Sequence, residues 1–120
     1  MLQVKFYGTR GSISVSGREY HEFGGNTTCI QIMAKDSGRI GIVDAGTGIR
    51  KLGNDFLAMD TGQQEIFIAF SHFHWDHIQG FPFFRPAFLK ATRVRVAGCP
   101  AAGTEAVAGQ LAPTFCVCHV

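Results

Sequence analysis

An α/β fold is what this 120-residue sequence predicts, and three patterns in it carry that reading. Apolar and polar residues alternate from Leu2 to Tyr7, as in a strand with one buried face. Ile49, Leu52, Phe56 and Leu57 recur at helical spacing. The apolar run Ile66-Phe67-Ile68-Ala69-Phe70 has the length and composition of a buried strand. Strands, helix and strand in that order call for helices laid against a sheet.

The elements follow along the chain. Residues 8–26 hold five glycines among polar residues and read as loop. Thr27 to Ala34 reads as a strand, Lys35-Asp36-Ser37-Gly38-Arg39 as a turn, and Ile40 to Ala45 as the returning strand of a hairpin. Residues 48–59 are predicted as an amphipathic helix in spite of Gly53. Glu65 to Phe70 is the next strand, with a short helix beginning near Asp76. Residues 80–89 are rich in phenylalanine and proline and read as irregular. Arg93 to Ala97 is a further strand, and Thr104 to Leu111 suggests a helix stopped by Pro113. With no repeat and no linker, residues 1–120 form one domain at most.

Composition narrows the function classes. The hydrophobic fraction of 46% is ordinary, but 17% charged lies below the usual ~25%, and eleven phenylalanines are many for this length. Such a chain wants partner surface. A net charge of +2 is too small to argue for nucleic acid by itself. Arg85, Lys90, Arg93 and Arg95 face only Glu105 in residues 77–120, which would suit a phosphate-bearing substrate. Arg93 and Arg95 alternate with Val94 and Val96, however, so a solvent-facing strand accounts for them more simply. No apolar run reaches the ~18 residues of a membrane span, so no membrane partner is expected. The N-terminus lacks a charged-then-apolar export pattern. Cys29, Cys99, Cys116 and Cys118 show neither disulfide nor zinc-ribbon spacing, which fits reduced thiols in a cytoplasmic protein, with Cys29 in the core.

The chemistry concentrates in Ser71-His72-Phe73-His74-Trp75-Asp76-His77, which follows the buried run directly. Imidazole and carboxylate are ligands of first-row metals. In an extended segment alternate side chains share a face, so His72 and His74 can converge on one ion. Asp76 and His77 come where the chain must turn, ahead of Gly80 and Pro82, and can swing toward a neighbouring position. Two ions about 3.5–4 Å apart can clamp a shared hydroxide. Trp75 is expected to pack, and Phe81, Phe83, Phe84 and Phe88 to serve the core or another subunit rather than a substrate wall. The glycine-rich segments Gly8–Ser12 and Gly24–Asn26 read as tight turns before phosphate contacts.

His-x-His-x-Asp-His after a buried strand resembles the signature of the metallo-β-lactamase superfamily of metal-dependent hydrolases. Further segments resemble one branch of it in order: Phe6-Tyr7-Gly8-Thr9-Arg10-Gly11-Ser12, Gly24-Gly25-Asn26-Thr27-Thr28-Cys29, Asp44-Ala45-Gly46-Thr47-Gly48-Ile49-Arg50 and His77-Ile78-Gln79-Gly80-Phe81-Pro82-Phe83-Phe84. That branch holds phosphodiesterase-type proteins near ribonuclease Z, the phosphonate-pathway cyclic phosphodiesterases and the class II cyclic-nucleotide phosphodiesterases. The resemblance implies the N-terminal half of a four-layer αβ/βα sandwich. It implies that His72 and His74 bind a first metal and Asp76 and His77 a second, with zinc (Zn2+) expected and manganese (Mn2+) or iron as other candidates. Asp76 is also the residue it marks as catalytic, accepting a proton from the attacking water. It makes Asp44 a support for the metal loop, and an aspartate capping the following helix turn is the other reading of that residue. The implied activity is a phosphodiesterase working through metal-bound hydroxide on a small phosphodiester or nucleotide, with RNA a weaker candidate. Hydrolysis of another ester, lactone or lactam is the alternative within the enzyme class.

The chain also departs from that pattern. Two ions need about three protein ligands each, and the motif offers four in all. His21 and His119 match no ligand position of the family. Three accounts stand: a truncated, catalytically inactive metal-binding half, a short form completed by self-association, or substitute ligands from Cys116, Cys118 and His119.

Overall fold

The computed structural model describes residues 1–59 and 64–98. Five strands form one mixed sheet in chain order: β1 (Leu2–Gly8), β2 (Cys29–Ala34), β3 (Arg39–Val43), β4 (Gln64–Phe70) and β5 (Thr92–Gly98). β1, β2 and β3 pair antiparallel, and β3, β4 and β5 pair parallel. The switch follows from the connections. A short turn joins β2 to β3, whereas parallel neighbours need a crossover, and helix α1 (Ile49–Ala58) supplies the one between β3 and β4. The predicted elements lie where the patterns put them, with ends shifted by one or two residues. Residues 80–89 are more ordered than expected, forming 3-10 turns at Phe81–Phe83 and Arg85–Phe88. The predicted helix at Thr104–Leu111, and Cys99, Cys116, Cys118 and His119, lie outside the described residues.

The core sits on one side of the sheet. Ile49, Leu52 and Phe56 of α1 are buried in one cluster with Ile40, Ile42, Ile66, Ile68 and Val94 of the strands. Each such side chain contributes about 1.5–3 kcal/mol on burial. Gly53 is explained by this packing: a Cβ there would stand 3.0 Å from the Pro86 ring and 3.1 Å from Phe84, so its absence lets the 3-10 turns close on the helix. Phe84 is fully buried and Phe81 packs against the cluster, whereas Phe83 and Phe88 are exposed. Cys29 is core, and burial pushes its thiol up to about 12, the Asp44 carboxylate adding to the effect.

Nothing among the described residues covers the opposite side of the sheet. There Leu2, Val4 and Phe6 of β1 remain exposed, in register with Ala34, Ile32 and Ile30 of β2. No helix among the described residues is long and apolar enough to cross a membrane.

Candidate functional site

The loops that leave β3 and β4 emerge at the same end of the sheet, because those strands are parallel. Their close approach is built from small residues. A Cβ on Gly80 would lie 2.0 Å from the Gly46 carbonyl oxygen, and one on Gly46 would lie 2.5 Å from that of Asp76. The contact is sealed when the Ala45 amide donates to the His77 carbonyl at 2.7 Å and the Gly80 amide donates to that of Ala45 at 2.8 Å. Thr27 and Thr47 add a reciprocal pair, each backbone amide donating to the other's hydroxyl at 2.8–2.9 Å.

Asp44 is the buried centre of this arrangement. Its backbone is left-handed at φ 61°, a conformation that aspartate tolerates better than most residues. Its carboxylate accepts hydrogen bonds from the Ser71 amide and the Ser71 hydroxyl, each at 2.8 Å, and pairs with His77 Nδ1 at 2.8 Å. Asp44 does not cap α1, whose first turn is preceded by Gly48 with no side-chain cap. The Asp44 carboxylate is an acceptor aimed at Nδ1, so in a neutral ring it favours the tautomer that keeps Nε2 as the acceptor.

The four motif residues gather at the end of β4. Helix α2 (Trp75–Ile78) carries Asp76 and His77, and His74 precedes it in extended conformation. The His72 ring centroid lies 4.4 Å from that of His74 and 4.0 Å from that of His77. His77 Nε2 faces Asp76 Oδ2 at 3.4 Å. The same oxygen accepts the Ser12 amide at 2.9 Å, and this bond holds the Asp76 carboxyl below the usual carboxylate range. Ser12 itself is left-handed at φ 70°, so the early loop bends to deliver that amide.

This arrangement meets a metal's needs only in part. Two ligands about 2.1 Å from a tetrahedral ion are roughly 3.4 Å apart, so Asp76 Oδ2 and His77 Nε2 are spaced as one edge of such a site. No third donor closes it: among the described residues no group of three or more His, Cys, Asp or Glu side chains is arranged to hold an ion. His72 and His74, expected to share one ion, lie ring edge to ring face, and Asp76 and His77, expected to share another, lie side by side. The His72 ring also packs against His77, and its Nδ1 lies 3.0 Å from the Ser71 hydroxyl. Trp75, expected to pack, is 70% exposed among the described residues, on the single turn of α2.

Ser12 and Ser71 are the residues that sequence reasoning passed over. Ser71 stood inside the motif, and its hydroxyl is one residue from a ligand-type histidine. Ser12 stood in the glycine-rich segment Gly8–Ser12, but nothing local named its partner, a carboxylate 64 positions away. The two glycine-rich segments lie against each other, the Arg10 amide donating to the Asn26 carbonyl at 3.1 Å and the Val15 amide to that of Gly25 at 3.0 Å.

The fold is similar to part of a known structure. A diphosphatase of the PhnP family superposes on 92% of this chain with a TM-score of 0.57 at 22% sequence identity. A candidate metallo-β-lactamase from Thermotoga maritima covers 78% of the chain at 24% identity with a TM-score of 0.44, and nothing further is drawn from it. The chain spans 47% of the first protein and 42% of the second. The mixed sheet with its two helices thus resembles part of an αβ/βα sandwich. No protein-family model and no curated protein matches the sequence.

Proposed function

We propose that this chain is a metal-binding half-domain on a hydrolase framework, and that the isolated 120 residues do not turn over phosphodiesters. The observation that carries this reading is the approach of Asp76 Oδ2 and His77 Nε2, 3.4 Å apart and braced by Ser12 and Asp44, with no third ligand-type side chain completing the set among the described residues. Two lone-pair atoms so placed repel each other unless a proton or cation lies between them. A divalent ion of zinc type suits one nitrogen and one oxygen ligand, and His72 and His74 are near enough to join by changing rotamer. Asp44 and Ser71 then act as the support that fixes the tautomer and direction of His77. When bound, such an ion would supply Lewis acidity and a more acidic water.

A second reading is a phosphodiesterase active once its ligand set is completed, and the likeness of fold to a diphosphatase favours it. Zinc equilibrium dialysis with metal analysis, followed by hydrolysis of bis(p-nitrophenyl) phosphate, separates the two. The half-domain binds one equivalent, loses it on gel filtration, and loses binding on His77→Ala. Its hydrolysis rate equals that of the metal in buffer. Two retained ions with turnover abolished by His74→Ala would establish the enzyme instead. A chain indifferent to zinc, manganese and iron would end both readings.

A further inference from the structure

Arg10 is a cation that the fold holds in place without a counter-charge among the described residues. Its Nε donates to the Ile13 carbonyl at 2.9 Å, and its guanidinium carbon lies over the Tyr20 ring, 5.1 Å from the centroid. The ion pairs among the described residues are those of the Met1 amine, Lys5, His77 and Arg95, and none includes Arg10. Glu19, the acid next to Tyr20, is folded over Gly17 instead: a Cβ on that glycine would stand 2.6 Å from its carboxylate oxygen. The two terminal amino groups of Arg10, with four of its five N–H donors, find no acceptor among the described residues. Arg39, Arg50 and Arg85 are exposed, whereas Arg10 is half-buried. A guanidinium held at both its Nε and its face has lost much of its rotamer freedom before any ligand arrives.

The same turn joins Arg10 to the histidine-aspartate loop. The Arg10 amide donates to the Asn26 carbonyl, and the next bend of the chain carries the Ser12 amide to Asp76 Oδ2 at 2.9 Å. The carbonyl that fixes the guanidinium belongs to Ile13, the residue after Ser12. The turn is open at Gly11, where a Cβ would meet nothing within 4 Å.

We propose that Arg10 binds an anion, its two terminal amino groups taking a phosphate group of a ligand that lies beside the Asp76–His77 pair. A planar guanidinium presents its N–H donors as a fork that matches two oxygens of a phosphate. The Tyr20 ring covers the face of that plane and leaves its edge free. A phosphate monoester carries close to two negative charges at neutral pH, against one for a carboxylate, so the same fork holds it more tightly. Asp76 opposes an anion in the metal-free chain, and a cation on the Asp76–His77 pair would cancel that opposition. This link between the two groups rests on the metal-binding reading, whereas the hold of Arg10 on the anion does not.

Binding of inorganic phosphate to the metal-free full chain, followed by phosphorus NMR at low salt, tests the proposal. The expected dissociation constant is on the order of 1 mM. Arg10→Gln weakens binding about 10-fold or more, and Arg10→Lys, which keeps the charge and loses the fork, weakens it about 3-fold. Tyr20→Leu frees the guanidinium and also weakens binding about 3-fold. Arg39→Gln, at the hairpin turn far from the loop, leaves it unchanged. Asp76→Asn tightens it about 2- to 4-fold, because one repelling charge is gone. Circular dichroism checks that each variant is folded, and Tyr20→Leu makes the same test if Arg10→Gln is not. Phosphate binding that survives Arg10→Gln, acetate bound as tightly as phosphate, or no binding at about 10 mM phosphate overturns the anion site. An Asp76→Asn variant with unaltered affinity overturns its placing beside the pair. Zinc dialysis, run separately, keeps the two readings apart. Arg10→Gln retains zinc as the wild type does, and a chain that binds phosphate but no metal supports the anion site while ending the metal-binding reading.

Discussion

The two faces of the sheet use the same five strands and comparable apolar side chains, yet only one of them is closed. On the closed side, Ile40, Ile42, Ile66 and Ile68 lie under α1 and the 3-10 turns that cross from β4 to β5. On the open side, Leu2, Val4, Phe6 and Phe67 remain exposed among the described residues. The difference teaches that strand alternation records how many faces are meant to be buried, while the connections decide which face this chain buries for itself. β4 makes the point alone: Ile66 and Ile68 point one way and Phe67 the other, and all are apolar because both sides call for cover.

Substitution on opposite faces is the strongest way to break that contrast. Ile42→Ala removes fully buried volume and should destabilise the fold by about 3 kcal/mol in urea unfolding. Val4→Ala should change the stability of the dilute monomer by less than ~0.5 kcal/mol. An equal cost at both positions would mean that the open face is already covered.

The next effect concerns the end of the sheet. Asp44→Ala leaves the Ser71 amide, its hydroxyl and His77 Nδ1 without their acceptor, at a cost of about 2–3 kcal/mol. Asp44→Asn retains an acceptor oxygen and should cost less. Amide hydrogen exchange at Ser71 should speed up in both variants, more in the first; unchanged exchange would deny Asp44 its supporting place.

The smallest effect lies on the solvent side of α1. Asp55 accepts hydrogen bonds from Lys5 and from the Tyr7 hydroxyl, each at 2.9 Å, and the Lys5 bond, then that of Tyr7, depresses its carboxyl. A depressed folded-state value stabilises the fold above the unfolded carboxylate range near ~3.9 and loses that contribution as pH falls through the folded value. Asp55→Asn should therefore cost under ~1 kcal/mol at pH 7, and progressively less as pH falls through the depressed folded value. Urea titrations across that fall in pH compare the two chains, and a pH-independent difference would show that the charge is irrelevant.

Much of this protein was legible before any coordinates. The period-two and helical patterns gave the strands and α1, because both depend on neighbours a few positions apart. The placing of Phe81 to Phe88 was less legible, since Phe84 enters the core and Phe83 leaves it with no periodic signal in a run of 3-10 turns. The approach of His77 to His72 was not legible either, because it depends on where the one-turn helix α2 folds back against the end of β4.

By itself the sequence determined which segments extend or coil, and that three imidazoles and a carboxylate meet at the end of a buried strand. Tertiary structure alone decided where those groups point. Asp44 reaches His77 across 33 positions and the Ser12 amide reaches Asp76 across 64, distances over which no local pattern carries information. Local preference acts through a few neighbouring dihedral angles, whereas the direction of a side chain at a loop is fixed by whichever distant hydrogen-bonding group the fold brings beside it.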